Sequence, residues 1–212
     1  MKNEKKVDLG KMLAGGPPFY TRPMAHLHSF YLYTIGNPEE YTDWFDTIRN
    51  ATEDDVIKIH INSPGGDLLT TVQLMRALQE TAATVICSVE GQCMSAATMV
   101  FLQSDMVEIS DHAMFMFHNY SGGTFGKGGE MMDQLKYEAD WSRKMFGDIY
   151  NDFFTEEELQ SMFNNKDIWM NAEEVTNRIK AKAEKLQMKL EAEEEASTKP
   201  KRRRRKTTEQ EK

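Results

Sequence analysis

Cysteine is almost absent: the chain of 212 residues has two, Cys87 and Cys93. Six residues apart and set in apolar segments, they have neither a metal-site spacing nor the density of a disulfide framework, and read as buried free thiols. Long apolar runs are also missing. None approaches the ~20 residues that span a bilayer, and the opening "MKNEKKVDLGKML" is charged without the apolar centre of a secretory signal. These absences exclude a membrane protein and a disulfide-stapled secreted domain, and place the chain in the cytoplasm. No internal repeat at a solenoid period is visible. Disorder throughout is excluded too, because 40% of residues are hydrophobic and 10% aromatic, enough for one sizeable core.

Charge is unevenly spread. The overall balance is −8, yet Lys180–Lys212 is net positive by five, leaving an acidic body of −13. The run "KPKRRRRK" attracts phosphates without sequence specificity or serves as a solubilising tail. Residues 1–28, with "AGGPPF" and "RPMAHLH", read as a flexible arm, 29–179 as the folded domain, and 180–212 as a charged helical extension and basic disordered tail.

Within the body, strands and helices alternate. "SFYLYTIG" (Ser29–Gly36) is a strand and "NPEEYTDWFDTIRNA" a helix. In "DVIKIHI" (Asp55–Ile61), Ile57, Ile59 and Ile61 alternate with Val56, Lys58 and His60, the period of a strand. After "NSPGGD", "LLTTVQLMRALQE" has helical spacing. "ATVICSV" (Ala83–Val89) is the next strand, "SAATMVFLQ" the next helix, and "DMVEIS" and "AMFMFH" two more strands. "SGGTFGKGGE" must be a loop or an irregular strand. Glu130–Phe154 is one long helix with a stripe of Met131, Leu135, Trp141, Met145, Ile149 and Phe153. Thr155 with Glu158 forms a capping box for a short helix, and Asn171 with Glu174 opens another. This order implies parallel or mixed α/β layers with crossover helices.

Four places could carry chemistry. Ser95, in "GQCMSAATMV", stands where a strand turns into a helix and is either a small packing residue or a nucleophile. A serine nucleophile needs a base, a group that orients the base, and fixed N–H donors for the oxyanion. "INSPGGD" is a tight glycine turn at a strand's C-terminal end, the end that faces ligands in open α/β folds. Of five histidines, His118 ends an apolar strand just before the glycine-rich segment, where a base would be both held and exposed. His26 and His28 lie in the arm, and their alternate spacing alone is weak metal evidence. Asp167 precedes "IWM" and is not needed as a helix cap, since Asn171 serves; a plain loop acid is the other reading. No metal and no cofactor is expected.

Taken in order, "INSPGGD", "GQCMSAA", "MFMFHNYSGG" and "KDIWMNAEEV" resemble the ClpP family, the proteolytic subunit of the Clp protease, over roughly Ser29 to Ile179. The resemblance implies a ClpP/crotonase-like spiral of β-β-α units with a protruding handle helix. It implies a serine endopeptidase acting on unfolded or extended polypeptides, with Ser95 as nucleophile, His118 as base and Asp167 as the orienting acid. By the same resemblance, the N–H groups of Gly66 and Ala96 form the oxyanion hole. Gly65, Ser121, Gly122, Gly123, Thr124 and Phe125 would bind substrate as an added strand. A ring-forming homo-oligomer, heptameric or doubled, and an AAA+ ATPase partner belong to the same expectation.

Departures exist. The family's axial N-terminal hairpin has no counterpart in "MKNEKKVDLGKMLAGGPP", and "VTNRI" stands where "Y-G-L-V-D" is usual. They bear against the ATPase partner and the standard double ring, and suit a virus-encoded relative. Three other readings fit parts of the chain: a crotonase-type acyl-CoA enzyme, a Ser/Lys dyad using Lys127, and a non-catalytic assembly or nucleic-acid-binding scaffold using the basic tail.

Overall fold

The computed structural model describes residues 25–198, so most of the N-terminal arm and the basic run of residues 199–212 lie outside the described residues. The body is built on one six-stranded sheet. β1 (Leu27–Leu32) pairs with β2 (Val56–Ser63), and β2 with β3 (Thr84–Met94), all parallel. The crossovers carry a 3₁₀ turn (Pro38–Tyr41) and α1 (Thr42–Asn50), then α2 (Leu68–Glu80), as expected for parallel neighbours.

β3 changes partners along its length. Its first half, Ile86–Val89, pairs with β4 (Met106–Ile109); its end, Gln92–Met94, pairs with β5 (Met114–Phe117). Between the halves the register against β2 shifts, from Ile61↔Val89 to Ser63↔Cys93, so β3 bulges. Asn62 Oδ1 accepts the Gln92 N–H there at 3.2 Å, and a Cβ on Gly91 would sit 2.7 Å from that oxygen. The strand therefore runs on to Met94, beyond the expected end at Val89, through residues that read in sequence as a break.

One sheet face is the core. Ile57, Ile59, Ile61, Val85, Cys87, Val89, Phe115 and Phe117 are buried under α2 and α3 (Ala96–Phe101), as the alternation in β2 required. The other face is mixed: Lys58 pairs with Glu108 at 2.8 Å, His60 with Glu90 at 2.6 Å, and Tyr31 stacks on the His60 ring.

Several boundaries differ from the sequence reading. β1 starts at Leu27, two residues before the expected strand, and ends at Leu32; Ile35 makes only an isolated bridge to Gly66. The long helix, α4, spans Gly128–Tyr150 rather than Glu130–Phe154; Phe153 lies beyond it and packs on Phe117. Asn119–Lys127 forms no regular strand. α5 (Glu156–Phe163) has its Thr155–Glu158 capping box. A strand not expected from sequence follows: β6 (Ile168–Asn171), antiparallel to β5. Asn171 and Glu174 cap α6 (Ala172–Thr198) reciprocally, and that helix passes Ile179–Lys180 without a break. No helix among the described residues is long and apolar enough to cross a membrane.

Candidate active site

The site collects at the C-terminal ends of β2 and β3 and at the exit of β5. Ser95 follows β3 with φ 53° and ψ −130°, a left-handed conformation costly for a residue with a Cβ. It occupies the N-cap position of α3, where serine ordinarily turns its hydroxyl back to a helix N–H. Here the hydroxyl makes no such bond; Oγ lies 2.7 Å from His118 Nε2. The Ser95 N–H donates to Met116 O at 2.8 Å, which ties the elbow to β5 and so to the histidine two residues further on.

The "SPGG" turn wraps this elbow. Gly65 has φ 96° and Gly66 φ 149°. A Cβ on Gly65 would meet Ser95 Cβ at 2.7 Å and Ala96 N at 3.0 Å, while one on Gly66 would overlap the Ile35 carbonyl. Glycine is thus required by both backbone conformation and approach. Ile35 staples the turn by donating to Gly65 O at 2.9 Å and accepting from Asp67 N at 2.8 Å. Buried Ser63 completes it: its hydroxyl donates to Tyr33 O and accepts the Gly65 N–H at 3.1 Å. Ala96 is the first residue of α3, where an N–H has no intrahelical partner, and the Gly66 N–H donates to no backbone group within the turn. Both residues line the same cavity as Ser95 and His118.

That cavity has a volume of about 650 Å³. Met99, Trp141, Phe146 and Tyr150 give it an apolar floor, and Ser121, Gly122 and Gly123 form part of its rim. Gly65 abuts the elbow from behind. Thr124 and Phe125 do not line the cavity: the Thr124 hydroxyl donates to Gln134 Oε1 at 2.6 Å, and Phe125 is wholly exposed. Sequence reading missed the cavity's use of α4, which brings Gln134, Tyr137, Glu138 and Trp141. It also missed the buried pair of Tyr150 OH and Thr98 Oγ1 at 2.7 Å; the Thr98 hydroxyl donates in turn to Ser95 O at 2.6 Å. Burial pushes the Tyr150 phenol up, so it stays protonated.

Asp167 immediately precedes β6. The β5–β6 ladder runs from Met114↔Asn171 to Phe117↔Ile168 and ends there, so His118 and Asp167 each lie one residue beyond its last pair. Among the described residues no hydrogen bond joins them. Asp167 lines a separate hollow with Ser161, Lys166 and Trp169, and Asn119 Nδ2 donates to Asn165 Oδ1 at 3.0 Å beside the gap.

The two thiols stay out of the chemistry. Burial pushes the Cys87 thiol up to about 12 and the Cys93 thiol well above its ordinary value, and both are fully buried.

A family model described as Clp protease matches residues 44–178. In three dimensions the chain is similar to a ClpP1 mutant from Listeria monocytogenes, with 18% identity and a TM-score of 0.59, covering 71% of this chain and 86% of that one. No curated protein matches the sequence. None of this supports a virus-encoded source.

Proposed function

The chain belongs to the Clp protease family, and on that premise we propose that it is a serine endopeptidase of unfolded or extended polypeptides, acting through Ser95, His118 and Asp167. The observation that carries this reading is the 2.7 Å approach of His118 Nε2 to a Ser95 hydroxyl that has left its capping role. His118 takes the hydroxyl proton as Oγ attacks the peptide carbonyl. The N–H groups of Gly66 and Ala96 receive the oxyanion, and His118 returns the proton to the leaving amine. Water then releases the acyl group by the same path. Asp167, one residue before β6, is the acid that bonds Nδ1 of His118 and holds its tautomer. The substrate backbone lies along Ser121–Gly123, with Thr124 and Phe125 as its outer contacts.

Proteins of this family form oligomeric rings. A ring of this chain is supported by α4, which exposes Met132, Tyr137 and Leu135. Light scattering at micromolar concentration is expected to show a mass several-fold above 24.4 kDa; a monomer alone would refute the ring. The cytoplasm is its proposed compartment.

A fluorophosphonate probe is expected to label Ser95 in the wild type and to leave Ser95→Ala unlabelled. Asp167→Asn should lower turnover of a labelled unfolded protein by about 10²–10⁴-fold, because an amide favours the wrong imidazole tautomer. Labelling elsewhere, or full turnover by Asp167→Asn, would remove the corresponding residue from the mechanism.

A further inference from the structure

We propose that His26, His28 and Asp55 form a binding site for one divalent transition-metal cation of the zinc type, at the seam where β1 begins to pair with β2. Residues two apart in an extended segment point to the same side, so His26 and His28 present their imidazoles together; the ring centroids are 5.8 Å apart. The parallel ladder, whose first pair is Leu27↔Val56, brings Asp55 beside His26 one step earlier. Nitrogen or oxygen ligand atoms from all three residues lie within 4.8 Å of one another.

Asp55 is prepared for a cation. It is buried, and its carboxylate accepts hydrogen bonds from the Thr52 N–H and hydroxyl and from the His26 N–H. Thr52 takes up Oδ2 through two 2.8 Å bonds, which fixes the carboxylate plane and leaves Oδ1 facing the histidines. Supporting bonds of this type orient metal ligands. The His26 Nδ1 to Asp55 Oδ1 distance is 3.2 Å. That is long for a charge-assisted hydrogen bond. It is close to the ~3.3 Å edge of a tetrahedron built from bonds of about 2.0–2.1 Å to nitrogen and oxygen.

Two imidazoles and one carboxylate are a borderline donor set. They suit Zn²⁺, Co²⁺ or Ni²⁺ and not Ca²⁺ or Mg²⁺, which take oxygen ligands. Three protein ligands leave a fourth position for water, and exposed His26 gives an ion access from solvent. The strands are parallel, so this site lies at their N-terminal ends and Ser95 beyond the C-terminal end of β3. A bound ion would pin the entry of β1 to the start of β2 without touching the cleavage site.

The test uses full-length protein stripped with chelator. Zn²⁺ is titrated by calorimetry and Co²⁺ by visible absorption, in the wild type, His28→Ala, His26→Ala/His28→Ala and His118→Ala. The expected result is one ion per chain and a four-coordinate Co²⁺ band. His28→Ala should weaken binding by about 10-fold or more and the double variant should abolish it, with His118→Ala unchanged. Saturating Zn²⁺ should raise Tm in the wild type and not in the double variant. No heat and no Co²⁺ band in the wild type would leave His26 as a simple hydrogen-bond partner of Asp55 and overturn the proposal. Undiminished binding by the double variant would place the ion elsewhere and overturn it equally.

Discussion

Ser95→Ala, His118→Ala and the double variant should all fall to one low rate of peptide hydrolysis, on the order of 10⁴–10⁶-fold below the wild type. A nucleophile and its base act as a unit, so removing either removes the proton path and removing both adds little. The 2.7 Å Nε2–Oγ contact makes these two side chains that unit. Ser95→Ala deletes one oxygen that caps nothing, so circular dichroism and oligomer size should match the wild type. The neighbouring Cys93 is the control. Its fully buried thiol faces the core, so Cys93→Ala should retain most activity. A dead Cys93→Ala beside an active Ser95→Ala would move the nucleophile, and losses that multiply in the double variant would dissolve the pairing with His118.

Gly66→Ala keeps the N–H but pushes it out of place, and is expected to reduce kcat by about 10²–10³-fold, the scale of losing an oxyanion donor. The added Cβ would overlap the Ile35 carbonyl, backbone that cannot step aside without breaking the bonds joining Ile35 to Gly65 and Asp67. The φ of 149° adds strain of order 1–3 kcal/mol. The result should be a lower denaturation midpoint together with a kcat loss larger than any change in KM. Gly147→Ala provides the contrast: it is helical with nothing within 4 Å of a built Cβ, so stability should hold or rise by up to about 1 kcal/mol. Wild-type turnover by a folded Gly66→Ala would show that catalysis does not depend on the exact position of this turn.

Local chemistry explains what could be read from the sequence. The alternation of Ile57, Ile59 and Ile61 gave β2 its buried face, and the Thr155–Glu158 and Asn171–Glu174 pairs marked helix starts where the structure has them. The order of motifs singled out Ser95 and His118, which the structure brings into contact. What escaped depends on partners distant in the chain. β6 is four residues long and exists only because β5 lies beside it. β3 continues past Gly91 because Asn62 and β5 take over its pairing. Asp55 read as the first residue of a strand, and nothing near it in sequence reveals that His26 donates to it. The cavity contributed by α4 was hidden for a similar reason: Gln134, Glu138 and Trp141 read as faces of a long helix until its packing fixed which face met Ser95.

The order of the strands along the chain also sets when each site residue is made during synthesis. Domains emerge from the N-terminus, so Ser95 appears first and His118 follows 23 residues later. Asp167 comes only with β6, after the whole of α4 and α5. A chain still lacking its last third has a serine elbow but no completed sheet edge beyond β5. On the proposed mechanism such a chain has no oriented base. On that mechanism, strand order delays the complete triad until β6 has been made.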